Sequence, residues 1–273
     1  HTRAGRWSGY IVIAILFAVA CGFLSHWQFS RNSAREAANA LVEQNYAAPA
    51  VPLSDLVSGV DGFDDADEWR PVTVTGTYLA AEQLFVRNRP LNGTVGYEVL
   101  VPLQLDDGRI FWIDRGWVPP SEGDAPTGVP SPPEGTVTVT AHLKPTEPLR
   151  DRGAPEGQLA NINLTLAADV SGQGTITAAY GVMMSEDPAA SASLTALEAP
   201  DIDPGPHLSY AIQWILFAIM GFVFIGYIIR TERAAGEDSD DDDDDDEPRP
   251  RAKPARKRDA DMQYEDAVLD AAG

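Results

Sequence analysis

Cysteine is almost absent from this chain of 273 residues, which holds only Cys21. The stretch from Arg31 to Pro206 has none, which excludes a disulfide framework and a cysteine-ligated metal site there. Histidine is nearly as scarce, with four in total. Positive charge is short as well: 20 Lys and Arg face 41 Asp and Glu, a formal net charge of −21. Phosphate binding needs a basic face, so this balance argues against nucleic acid as a partner. Catalytic signatures are missing too: no G-x-S-x-G elbow, no phosphate-binding loop, no H-E-x-x-H and no C-x-x-C. The carboxylates of the middle region scatter through loops as on a solvated surface, and the chain reads as a protein that is not an enzyme. His1 is not an initiator methionine, so the natural amino terminus is expected upstream.

What is present begins with two long apolar runs. Trp7 to Ser30 contains no Asp, Glu, Lys or Arg, and neither does Leu208 to Ile229. At about 1.5 Å per residue, each is long enough for a hydrocarbon core of about 30 Å. Trp7, Tyr10, Trp27, Tyr210, Trp214 and Tyr227 stand toward the ends, where amphipathic rings favour the interface. Two transmembrane helices are expected, at 7–29 and 208–229. Arg3 and Arg6 precede the first, Arg230 and Arg233 follow the second, and the intervening stretch is acidic. The positive-inside rule then puts 1–6 and 230–273 in the cytoplasm and 30–207 on the extracytoplasmic side of a bacterial plasma membrane, as a multi-pass protein. A rival reading takes Ala18-Val-Ala-Cys21 as a lipoprotein processing box, since a basic segment and an apolar run precede it. Against it, the apolar run continues past Cys21, and Ala18 stands where a larger aliphatic residue is usual.

Between the spans the pattern changes. Ser30 to Asn45 is Ala-rich and continues the first helix, which Pro49 and Pro52 end. Leu53 to Val57 is expected as a short helix capped by Ser54. From Trp69 onward the period is two: Arg70 to Tyr78 and Thr136 to His142 alternate apolar and polar residues. Gln83–Arg87, Gly96–Leu105 and Arg109–Val118 lie between them, separated by Asn92-Gly93 and Asp106-Asp107-Gly108 turn signals. A Pro/Gly-rich loop spans 119–135, a short helix is expected at Leu164–Ser171, and another strand at Ala179–Met184. The fold class is thus two transmembrane helices flanking a mostly antiparallel β (α+β) domain, a sheet or open barrel. In the tail, 230–273, aspartates at 240–246 precede a Pro- and Arg/Lys-rich segment to Arg258, a composition that stays disordered. Its alternatives are a divalent-cation site on the aspartates or attraction of Arg249–Arg258 to anionic lipid.

His142 sits in an alternating strand without an obvious nucleophile or metal partner. His26 and His207 matter more by position, near the outer end of span one and the outer start of span two. Histidine is a common haem-iron ligand, and a helix pair can hold a porphyrin between its faces. The plainer reading is an interfacial histidine bonded to water or headgroups.

Several strings together resemble the surfeit-locus family of cytochrome c oxidase assembly factors. They are Trp27-Gln28-x-x-Arg31, Arg70-Pro-Val-x-Val-x-Gly-x-Tyr78, Val86-Arg-Asn-Arg-Pro-Leu91, Gly96-Tyr-Glu-Val-Leu100, Asp114-Arg-Gly-Trp-Val-Pro119 and Pro206-His-Leu-Ser-Tyr-Ala-Ile-Gln-Trp214. Their order and placement between two spans cover nearly the whole chain, although Ser25-His26 stands where the family pattern has a small residue, and the tail after Glu232 falls outside the pattern. The resemblance implies a part in building the haem-copper oxidase, by delivering haem a to its catalytic subunit or stabilising that subunit. His207 is then the candidate, transient haem a ligand, with no metal site and no catalytic residue. Implied partners are the catalytic subunit and other respiratory-complex subunits. Rival roles are a permanent accessory subunit of the oxidase or of a respiratory supercomplex, and a haem carrier that releases its cargo. Trp27, Gln28, Gln213 and Trp214 would fix the spans against each other. Arg87, Arg89 and Arg115 either pair internally with Glu98 or Asp114, or clamp haem propionates or a partner's carboxylates.

Overall fold

The computed structural model describes residues 3–150 and 153–240. The remainder of the charged tail, and with it the expectation of disorder there, lies outside the described residues. Among the described residues there are three α-helices: α1 (Arg3–Asn45), α2 (Leu164–Ser171) and α3 (His207–Asp240). Two compact units divide the chain, one joining His1–Cys21 to Leu216–Gly273 and the other running from Gly22 to Ile215.

In the first unit, α1 and α3 lie against each other. The Phe17 ring crosses Gly221 so closely that a Cβ there would come within 3.1 Å of it. Near the chain ends Arg6 pairs with Glu232 at 2.8 Å, Trp7 Nε1 donates to the same carboxylate, and Arg233 sits 4.7 Å over the Trp7 ring. Elsewhere the helices present bare apolar side chains, including Phe23, Leu216 and Val223. Both are long and apolar enough to cross a bilayer, with mean hydropathy of 2.2 and 2.3 in their most apolar windows. A helix satisfies its own backbone hydrogen bonds, which is what a span in lipid requires. Two spans, rather than a larger multi-pass bundle, are what the described residues hold. Both helices run beyond their apolar spans, α1 as its Ala-rich continuation predicts. α1 continues through the Ala-rich segment to Asn45, and α3 runs past Ile229 to Asp240, because extending an established helix is far easier than starting one.

The second unit is built on eight strands: β1 (Val51–Pro52), β2 (Pro71–Tyr78), β3 (Leu84–Leu91), β4 (Thr94–Leu105), β5 (Ile110–Val118), β6 (Thr136–Pro145), β7 (Gln158–Leu159) and β8 (Ala179–Asp187). Their order is β1-β2-β6-β8-β5-β4-β3-β7, and β2 also pairs with β4, through Gly76↔Leu105 and Tyr78↔Leu103. That extra pairing closes β2, β6, β8, β5 and β4 into a barrel. The long ladders are antiparallel; β1·β2, β3·β7 and the short β5·β8 contact are parallel. Asn92-Gly93 turns between β3 and β4 with φ of 49° and 78°, the left-handed pair a tight hairpin demands. One expectation needs correcting. Leu53–Asp55 forms only a single 3-10 turn, and it starts from Pro52, whose φ of −55° already suits a helical entry, instead of being capped by Ser54.

Alternation sorts the side chains onto two faces. Val72, Val74, Val101, Phe111, Ile113, Val139 and Leu143 fill the barrel interior. Leu84, Val86, Leu100, Trp112 and Tyr180 point outward and are covered by Ile162 and by Leu164 and Ala167 of α2. β5 is therefore buried along its whole length, with a core on each side.

The carboxyl end of α1 is clasped to this body. Asn45, 3% exposed, donates from Nδ2 to the carbonyls of Ala66 and Glu68, both at 2.8 Å. His142 of β6 stacks on Tyr46 with centroids 4.0 Å apart, its Nε2 2.9 Å from the Tyr46 carbonyl oxygen. Burial lowers the His142 pKa, so the ring is neutral here and serves as a clasp.

Candidate functional site

Polar side chains converge at two places in the second unit. The first lies on the outer face of the barrel. Glu98 on β4, Asp114 on β5 and Tyr180 on β8 share that face with Leu100, Trp112 and Val182, because each stands two positions from one of them. Arg89, at the irregular end of β3, reaches in: its Nε lies 2.8 Å from Glu98 Oε2 and its Nη2 2.7 Å from Glu147 Oε1. The Nε contact has the distance of an ion pair without the alignment of a hydrogen bond. Trp117 Nε1 donates to the Arg89 carbonyl at 2.8 Å, and the Trp117 ring packs against Gly96, leaving no room for a Cβ. Asp114, 1% exposed, accepts from the Gly116 N–H, and Gly116 itself holds a φ of 132°. Burial pushes the Glu98 carboxyl up to about 7, with Arg89 opposing and Glu147 adding to the rise. Burial also holds Asp114 well above the ordinary carboxylate range, reinforced by Glu98.

On the opposite face of β5, Arg115 forms a separate buried pair with Glu186 at 2.9 Å, and Tyr78 donates to the same carboxylate at 3.1 Å. Of the alternatives for the three motif arginines, Arg89 pairs with Glu98 as one of them foresaw. Arg115 does not reach Glu98 or Asp114, because Asp114 and Arg115 are adjacent on a strand and so face opposite sides of the sheet. Arg87 lines a small pocket with Arg89, Arg150 and Asn161 and forms no ion pair among the described residues.

The second place is where α1 and α3 meet within this unit. His207 opens α3, and its Nδ1 lies 3.0 Å from Gln28 Oε1 on α1. With a carbonyl oxygen as acceptor, Nδ1 is the donor, and in the neutral ring Nε2 is then the nitrogen with the lone pair. One turn along, Ser25 Oγ, buried, donates to the Ala211 carbonyl at 3.0 Å. Ser25 and Gln28 therefore share the α3-facing side of α1, three residues apart. His26 is exposed on another side and is not brought to His207. Trp27 is 53% exposed with Arg31 over its ring at 5.7 Å, Gln213 is exposed, and Trp214 is half-buried. The segment leading to His207 is tied to α1 as well: Arg35 donates to the carbonyls of Asp201 and Asp203, and Asn39 to that of Ile202.

Comparison with known proteins decides what kind of chain carries these two places. The model of the SURF1 family matches residues 15–219. The chain belongs to the SURF1 family. A SURF1-like protein of Mycobacterium tuberculosis is 33% identical over 232 residues, covering 83% of this chain and 84% of the relative. The cytochrome oxidase assembly protein SHY1 of Saccharomyces cerevisiae is 31% identical over 113 residues, 40% of this chain and 28% of the relative. A SURF1-like protein of Rickettsia felis is 24% identical over 109 residues, 39% of this chain and 45% of the relative. In this SURF1-family chain, the sequence motifs led to Arg89, Glu98, Asp114 and His207. They missed Glu147, Lys144, Tyr180, Glu186 and Ser25, which join these groups only through the fold. One signal was legible: a charged Asp114-Arg115 pair inside the apolar run of β5, which announces a buried polar network.

Proposed function

We propose that this SURF1-family chain assists assembly of a cytochrome c oxidase, handling haem a at His207 while the oxidase catalytic subunit is filled. The assembly role rests on membership of a family that includes a yeast relative named for it. Haem handling rests on one observation, the Gln28–His207 contact. An imidazole whose Nδ1–H is held by a carbonyl presents Nε2 as a fixed, basic ligand, the arrangement in which histidines usually bind metal. Haem a would bring an iron centre that takes a nitrogen ligand and an apolar body suited to the exposed aliphatic side chains of the spans. The rest belongs to this chain. Gln28 sets the tautomer, Ser25 locks the helices one turn below, and Arg35 with Asn39 steadies the segment that delivers His207. No reacting group is required, so the role is that of a non-enzymatic chaperone. The β domain stands on the extracytoplasmic side in this reading, given Arg3 and Arg6 before the first span and Arg230 and Arg233 after the second.

The test is an inventory of haem a bound to protein purified from native membranes. His207→Ala should abolish it at unchanged membrane level, Gln28→Leu should weaken it by about tenfold or more, since ligand-orienting contacts typically carry that much, and His26→Ala should leave it intact. Wild-type protein that carries no haem a when haem a is abundant would sink the ligand assignment, leaving the assembly role to be judged by oxidase content in a deletion strain. Sidedness is read by protease added outside oriented vesicles: cleavage is expected in the 119–135 loop with the aspartate-rich tail protected, and the reverse pattern would overturn it.

A further inference from the structure

The outer-face cluster holds more carboxyl groups than cations. Glu98, Asp114 and Glu147 surround Arg89 in a cleft of about 330 Å³ whose other walls include Trp69, Tyr180 and Leu197. That volume lies at the lower end of the roughly 300–1,000 Å³ of small-ligand sites. Arg89 is committed to Glu98 and Glu147. Lys144 also lines the cleft, its ammonium held 2.6 Å from Glu68 and 4.0 Å over the Trp69 ring. Asp114 has no ion pair of its own among the described residues; its recorded bond is the one from the Gly116 N–H.

A second observation comes from Tyr180. Its side chain is only 4% exposed and lines the same cleft, with Asp114, Glu147 and Glu98 all acting on its hydroxyl. That hydroxyl forms no hydrogen bond among the described residues. The ring is buried while the hydroxyl oxygen keeps its opening to the cleft, where a polar partner can reach it. The hydroxyl is thus set to receive a partner from outside the chain.

We infer that this cleft receives an organic cation, the ammonium or guanidinium of a lysine- or arginine-like group, with Glu98 and Asp114 as counter-ions and Tyr180 Oη as a hydrogen-bond acceptor. An anion would meet three carboxyls. A metal ion is disfavoured, since no group of three or more His, Cys, Asp or Glu among the described residues is disposed to hold one. An acidic surface between the spans draws cations toward the cleft. Binding is linked to protons. The carboxyls that burial and mutual repulsion keep protonated near neutral pH ionise when a cation arrives, and release those protons to solvent. This site is independent of the haem reading, which concerns His207.

The experiment is calorimetric titration of the purified full chain in detergent at neutral pH and low salt. The probes are N-acetyl-lysine methylamide, n-butylammonium and acetate, in two buffers of different ionisation enthalpy. Saturable binding of either cation with net proton release is expected, and no binding of acetate. A preference for the lysine derivative would point to a side chain on a partner protein, and a preference for the alkylammonium to a free amine. Tyr180→Phe, which removes only the hydroxyl, should weaken binding by about tenfold or more, as loss of a charge-assisted hydrogen bond does. Asp114→Asn should reduce the proton release. No saturable cation binding, acetate bound as well as the cations, or full affinity in Tyr180→Phe would each overturn the assignment. Should Asp114→Asn fail to fold, Tyr180→Phe carries the test alone.

Discussion

Replacing Arg115 by alanine is the perturbation most sharply priced by the structure. Its side chain is 1% exposed and that of Glu186 7%, so both charges stand out of water. Arg115 Nη2 meets Glu186 at 2.9 Å, Nη1 donates to the Pro130 carbonyl at 3.2 Å, and the guanidinium lies 5.5 Å from the Tyr78 ring centroid. Removing the guanidinium leaves Glu186 with the Tyr78 hydroxyl as its remaining partner. A buried charge stripped of its counter-ion costs about 3–5 kcal/mol. For a domain of this size that is a fall in Tm on the order of 10 °C. Arg115→Lys should lose less, keeping the charge but not the planar fork. The double change Arg115→Met with Glu186→Leu should recover most of the loss, since an apolar pair of similar volume replaces both charges at once. Thermal unfolding of the full chain in detergent, followed by near-ultraviolet circular dichroism, reads all three. The argument fails if Arg115→Ala costs under about 1 kcal/mol, the range of exposed ion pairs, or if the double variant is no better than the single.

Two further outcomes follow from the outer face. Glu98 is raised by burial from 4.5 to about 7, so the folded state holds a proton that the unfolded chain releases. Its stabilising contribution is full below about pH 4.5 and is lost as pH rises through about 7, at most on the order of 3 kcal/mol. Denaturant unfolding at pH 5 and pH 8 should show the higher stability at pH 5, and Glu98→Gln should flatten the difference; equal stability in the wild type at both values would refute it. Gly96→Ala would drive a methyl into the Trp117 ring and the Val118 carbonyl, and should cost about 1–3 kcal/mol by overpacking. Gly123→Ala, which meets nothing nearer than 3.9 Å, is the control, and equal melting of the two variants would refute the close approach.

Local pattern alone carried a large part of this protein. Apolar length gave α1 and α3, period-two alternation gave β2 and β6, Asn92-Gly93 gave the hairpin, and the motif strings gave the family. These features are legible because each depends on residues near one another in the chain. Barrel closure was not legible, since β2 pairs with β4 across the intervening β3 and no local property of either strand encodes that partner. The polar sites were half legible. Asp114 and Arg115 announced buried charge, but adjacency in a strand sends them to opposite faces, so one joined Glu98, Arg89 and Tyr180 while the other found Glu186 and Tyr78. His207 was visible from its position before α3, whereas Gln28 as the group that fixes its tautomer was not. Burial, register and the crossing of two helices settle which side chains share a space. Those quantities arise only when segments distant in the chain pack together, and they set the charge state of Glu98 and Asp114 that no residue-by-residue reading contains.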